Sequence, residues 1–192
     1  MFAHKITPPK GCRWNRWTPS FIDPQASAPT KTWGDAGLSG AWQSRPISLY
    51  GRNSASGTYG FFKEQVLKKG DFKATVKEQP GSSAVVQGIA SDQYGLGYSG
   101  IGYITSGVRA LPLAEKGDKY FEASYENCLS GDYPLARFLY VYINKKPGAP
   151  ADKLTAEFLK FVLSKGGQEV VVKDGYFPLP ESVCRRRSAR WQ

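Results

Sequence analysis

Arg52, Ser56, Gly57 and Thr58 stand close together in the stretch LYGRNSASGTYGFF, residues 49–62. One guanidinium and several small hydroxyls surround a glycine where an alternating apolar segment gives way to a helical one. Amide N–H groups at a helix start have no intrahelical partner and carry the positive end of the helix dipole. The hydroxyls of Ser56 and Thr58 can donate to the same oxygens, and Gly57 lets the backbone approach closely. Arg52, four residues before Ser56, supplies charge and a two-pronged donor. The chemistry this suits is oxyanion binding. The same letters also fit an N-cap serine on an ordinary helix, with Arg52 paired to a surface carboxylate, and spacing alone leaves both readings open.

Other chemistries fare worse. GRNSASGT lacks the lysine that a nucleotide-binding P-loop places before its Ser/Thr, so nucleotide hydrolysis is disfavoured. GLGYSG, residues 95–100, fits the dinucleotide fingerprint by letter, but strand-like IGYITSGVRALPL follows it where a helix is required. Its glycines read as tight turns. The single histidine, His4, lies in an irregular N-terminal stretch far from any plausible serine nucleophile. Cys12, Cys128 and Cys184 have no ligand spacing, and both a disulfide between two of them and free thiols stay open. No His/Cys/carboxylate cluster suggests a metal. The expectation is a binding protein, not an enzyme, with no cofactor and no metal.

The elements that must position these residues follow from periodicity. RPISLYGR alternates its apolar residues and predicts a strand ending at Gly51. Phe61, Phe62, Val66 and Leu67 recur at helical spacing over 57–69, with Gly70 as the stop. ATVKEQP reads as a short extended piece. GSSAVVQGIASD then offers serine caps and an amphipathic helix through Val85, Val86 and Ile89. YGLGYSGIGYI and VRALPL read as short strands, and TWGDAGLSGAW as a turn or short helix. LARFLYVYINKK, residues 135–146, is a nearly continuous apolar run that predicts a strand buried on both faces. After the linker PGAPAD, Leu154, Phe158, Phe161 and Val162 mark a helix face ended by Gly166 and Gly167, and QEVVVK forms a last short helix. Strands alternating with helices argue an α/β protein.

The 192 residues, 41% hydrophobic and 14% aromatic, suffice for a packed domain. No apolar run approaches the roughly 20 residues that span a bilayer. MFAHKITPPKGCRWNRW has charge but no apolar core, so no signal peptide is read there, which implies a cytoplasmic chain if expressed as written. Of the net charge of +10, residues 1–32 carry +4 and residues 181–192 carry +3, leaving +3 for the body. The basicity belongs mostly to the ends. CRRRSARW suits phosphate backbones, which makes a nucleic-acid-binding module the alternative function, although a solvated, disordered end is the preferred reading.

YGRNSASGTYGFFKE, FKATVKEQPGSSAVVQGIA, GLGYSGIGY, SGVRALPLAEK, SGDYPLARFLYVYINKKPG and FLKFVLSKGGQEVVVKDGYFPLP occur in that order. Together they resemble the solute-binding proteins of bacterial phosphate ABC transporters, PstS type, from about Thr32 to Pro180. Arg-x-x-x-Ser-Gly-Thr is the most specific element. The resemblance implies a periplasmic-binding-protein-like (type II) α/β fold, with phosphate in a cleft between two domains. It implies that Arg52, Ser56, Gly57 and Thr58 are the second domain's share of a site for inorganic phosphate. It also implies a permease partner and a periplasmic location.

On this alignment residues 1–31 form an irregular basic extension and residues 32–134 the complete phosphate-binding α/β domain. Residues 135–180 supply the crossover strand and helices of an incomplete first domain, and residues 181–192 a basic tail. The family's N-terminal portion, with an acidic acceptor for the phosphate proton, is expected to be missing, and the two ends match nothing in the family. The incomplete domain is expected to promote self-association.

Overall fold

In the computed structural model of the chain, residues 1–7, 12, 13, 21, 30–115 and 119–188 are described. They fall into two units, Met1–Arg137 and Phe138–Gln192.

In the first unit the strands are β1 (Phe2–His4), β2 (Cys12–Arg13), β3 (Ser48–Arg52), β4 (Lys77–Gln79), β5 (Gly95–Gly97), β6 (Val108–Ala110) and β7 (Leu113–Ala114). The helices are α1 (Gly57–Gln65), α2 (Ser82–Ser91) and α3 (Tyr125–Ser130). A five-stranded sheet runs in the order β4-β3-β5-β1-β6, and β2 pairs with β7. β3 is parallel to both β4 and β5, in register Tyr50↔Lys77 and Leu49↔Leu96. β3–α1–β4 and β4–α2–β5 are therefore parallel crossovers.

β1 and β3 each feed two cores, because successive side chains point to opposite faces. Leu49, Leu96 and Tyr98 pack with Phe62, Val66 and Leu67 at and just after α1, together with Trp33 and Phe21. Tyr50 and Val108 pack on the other face with Val85, Val86 and Ile89 of α2. One helix on each face makes a layered α/β unit in which β3, in the interior of the sheet, is covered on both sides.

β1 departs from expectation. The sequence reading gives residues 1–31 to an irregular extension, yet Phe2–His4 runs antiparallel between β5 and β6, pairing Phe2↔Gly97 and Ala3↔Arg109. Met1 and Ala3 enter the α1-side core, and Phe2 enters the α2-side core. Phe21, from the same segment, is fully buried, with its ring 5.2 Å from Phe62. Three residues are too short for a period-2 pattern to stand out, which is why the sequence conceals this strand. His4 closes β1, and its Nδ1 accepts from the Ile6 amide.

In the second unit, helices α4 (Lys153–Val162), α5 (Lys165–Lys173) and α6 (Glu181–Ser188) are capped by local chemistry where a cap exists. Asp152 accepts from the Thr155 amide and Ser164 from the Gly167 amide. Gly166 and Gly167, expected to end the first helix, lie instead in the first turn of α5. A Cβ at Gly167 would collide with the Phe161 carbonyl. Gln168 ties the unit together, donating to the Val162 carbonyl at 2.8 Å and accepting from the Leu179 amide at 2.7 Å.

Two further expectations are corrected. Residues 135–146 form no strand. A ladder requires a neighbour, none pairs with this run among the described residues, and Leu139 and Tyr142 are 67% and 90% exposed. The C-terminal stretch is not irregular through Ser188, since α6 forms with Arg185 bound to Glu181 one turn earlier.

Candidate anion-binding site

β3 delivers Arg52 to its carboxyl end, and the chain turns through Asn53–Ala55 into α1. The Asn53 amide extends the ladder by donating to the Gln79 carbonyl, and the Ser56 amide closes the turn on the Asn53 carbonyl. Ser56 is the N-cap, in extended conformation, and its Oγ accepts from the Thr58 amide at 3.1 Å. Gly57 and Thr58 are the first two helical residues. Arg52, Ser56, Gly57 and Thr58 are thus brought together at one strand end and one helix start. The N-cap reading of Ser56 is realised, and it leaves the hydroxyl proton free to point elsewhere.

Arg52 has no carboxylate within ion-pair distance among the described residues, so the expectation of a surface ion pair does not apply. Its Nη1 donates to Ser82 Oγ at 2.7 Å and its Nη2 to the Pro80 carbonyl at 3.1 Å. Its Nε is buried without a partner. Ser82 is the first residue of α2, whose N-cap is Gly81 rather than either serine. The start of α2 and the exit of β4 therefore meet at one guanidinium, on the strand that leads four residues later into α1. This is where open α/β sheets bind ligands.

The strand end is fixed from behind. Tyr98 donates to the Arg52 carbonyl at 3.5 Å, and burial pushes its phenol well above the ordinary range, so it stays a neutral donor. Ser99 Oγ donates to the Ser82 carbonyl at 2.9 Å, tying the exit of β5 to the start of α2.

Sequence reasoning missed one neighbour. The Arg137 guanidinium lies over the Phe61 ring, 5.1 Å from its centroid. Its Nη2 is 3.6 Å from the position a Cβ on Gly57 would take. Nothing in the spacing of PLARF relates it to residue 57, which lies 80 positions earlier. An arginine in an otherwise apolar run was the only signal.

No group of three or more His, Cys, Asp or Glu among the described residues is placed to hold a metal. Cys128 and Cys184 are free thiols whose pKa values burial raises. The Cys12 side chain lies outside the described residues. No helix among the described residues is long and apolar enough to cross a membrane.

The chain as a whole is similar to several known proteins. The chain is 52% identical over 190 residues to the phosphate-binding protein PstS of Pseudomonas aeruginosa, a match covering 97% of this chain and 59% of that protein. It is 29% identical over 162 residues to the phosphate-binding protein PstS of Staphylococcus aureus, covering 83% of this chain and 48% of that one. The chain thus spans about half to three-fifths of the length of these curated relatives. An ABC-type phosphate transport receptor from Vibrio cholerae has the same fold, with a TM-score of 0.67 at 16% identity over 93% of this chain and 68% of that one. PstS from Borrelia burgdorferi superposes with a TM-score of 0.61 at 20% identity, over 93% and 68% of the two chains. A match over 97% of the chain overturns the expectation that both ends are foreign to the family. The short β1 explains the error, since its few residues carry a fold role without a readable motif. A model described as a PBP superfamily domain matches residues 1–165, and the chain belongs to that superfamily.

Proposed function

We propose that the chain binds inorganic phosphate through Arg52, Ser56, Gly57 and Thr58, as part of the solute-binding component of a phosphate ABC transporter. The observation that carries this reading is the Arg52 guanidinium anchored on Ser82 and Pro80 at the end of β3, four residues before the Ser56-capped start of α1. A guanidinium held on a helix-start hydroxyl, with no carboxylate paired to it among the described residues, is suited to an oxyanion. The likeness to proteins named for phosphate binding supports phosphate as that anion. A permease partner and a periplasmic location follow from the same likeness and belong to the proposal.

Equilibrium dialysis with labelled phosphate tests it. Saturable uptake is expected in the millimolar range, because a closed cleft of micromolar affinity corresponds to about −8 kcal/mol and roughly half of the donors would leave half of it. Uptake that stays linear and unsaturated through that range contradicts the reading.

A further inference from the structure

We propose that Ser82 is a positioning residue that fixes the Arg52 guanidinium before the anion arrives, an inference that rests on the phosphate-site reading above. A guanidinium has five N–H donors in a fixed plane. In this chain one on Nη1 goes to Ser82 Oγ at 2.7 Å and one on Nη2 to the Pro80 carbonyl at 3.1 Å. Three remain: the second proton on each Nη, and the Nε proton, which is buried and unpartnered. With Nε closed off by the protein, the second protons on Nη1 and Nη2 are the ones left for an acceptor, while Ser82 and Pro80 hold the group in place.

Ser82 is suited to this hold because it is itself immobilised. It is the first residue of α2, its carbonyl accepts from Ser99 Oγ at 2.9 Å, and Pro80 precedes it on the rigid exit from β4. Its Oγ accepts from Arg52, so the hydroxyl proton stays available as one more donor. Neither hydrogen bond needs a bound anion. The arginine is thus fixed before the ligand arrives, which spares the rotamer entropy that a loose arginine would lose on binding.

The test uses the full chain, 15N-labelled, with inorganic phosphate as the probe. Two readouts are followed: the Gly57 and Thr58 amide shifts, and the rotation of the Arg52 guanidinium seen in its side-chain 15N signals. In the unmutated chain the Arg52 Nη signals should be resolved by hindered rotation, and phosphate should shift both amides saturably. Ser82→Ala should average the Nη signals and weaken phosphate about tenfold, as for loss of one charged hydrogen bond. Ser82→Thr, which keeps the hydroxyl, should restore both. A role limited to starting α2 would change amide exchange in Ser82–Ser91 without touching Arg52 rotation. Freely averaged Nη signals in the unmutated chain overturn the inference however the variants fold. Unchanged affinity in Ser82→Ala overturns it while leaving the phosphate site intact. Hindered Arg52 rotation with no phosphate response overturns the site reading, and reduces the Ser82 contact to a purely structural bond.

Discussion

The ring of Tyr98 stacks on that of Phe62, with centroids 3.9 Å apart and planes 9° from parallel. Through this pair the residue after β5 clamps α1 against the sheet, and the Tyr98 hydroxyl reaches back to the Arg52 carbonyl. The stack lies over Gly51. A Cβ there would stand 2.9 Å from Tyr98 Cε1 and Oη. Gly51→Ala should therefore destabilise the first unit by about 1–3 kcal/mol, the usual range for overpacking. Denaturant unfolding followed by tyrosine fluorescence checks this, and an unchanged midpoint would mean the ring moves aside without cost.

Arg52→Ala should remove measurable phosphate binding and lower the unfolding midpoint only modestly. The guanidinium supports no apolar core contact, and what the fold loses is its bonds to Ser82 and Pro80. Charged hydrogen bonds contribute about 1.5–3 kcal/mol each, so loss of a two-pronged pair should weaken affinity by roughly two orders of magnitude or more. Calorimetry on the variant is the check, and binding equal to that of the unmutated chain would take Arg52 out of the site.

Hydrogen exchange should be slow from Pro46 to Leu113 and also at Phe2 and Ala3, which are buried and paired with strands on both sides. It should be fast after Leu135, where the 135–146 run has no ladder. Phe158 and Phe161 of α4 are exposed together with Leu154. Apolar surface of this extent favours association, so sedimentation should show oligomers that grow with concentration. A strictly monomeric chain with uniform protection through Lys173 would contradict this.

Asp92 predicts an acid dependence. Burial raises its pKa, but hydrogen bonds from Ser48, the Tyr94 amide and Tyr50, with Lys77 nearby, outweigh that and leave it lowered. A folded-state pKa below the unfolded value of about 3.9 stabilises the protein above that pH. The contribution is lost as pH falls through the lowered folded value. The drop in unfolding midpoint between neutral and strongly acid pH should be smaller in Asp92→Asn than in the unmutated chain. An identical drop in both would show that Asp92 does not contribute to acid sensitivity.

Much of the first unit was legible because its elements obey simple periods. Leu49 and Tyr50 alternate between two cores, and Phe62, Val66 and Leu67 repeat at helical spacing, so β3 and α1 could be read directly. The Arg52–Thr58 turn between them followed from that junction. What could not be read depends on partners distant in sequence. β1 is a strand only because β5 and β6 flank it, and 135–146 has the composition of a strand without a neighbour to pair with. The site shows the same limit. Arg52 was legible beside Ser56, but Ser82, Pro80 and Arg137 reach the guanidinium or Gly57 through the fold alone.

A titration of the 15N-labelled chain with phosphate and, separately, sulfate tests the central claim most directly. The account predicts saturable shifts centred on Arg52, Ser56, Gly57 and Thr58, with millimolar affinity and little preference between the two anions. Helix amides and a guanidinium accept either oxyanion, and preference for phosphate requires an acceptor for its proton. Shifts confined to Arg185–Arg187 that vanish with added salt, with residues 52–58 unmoved, would contradict it and favour the nucleic-acid reading.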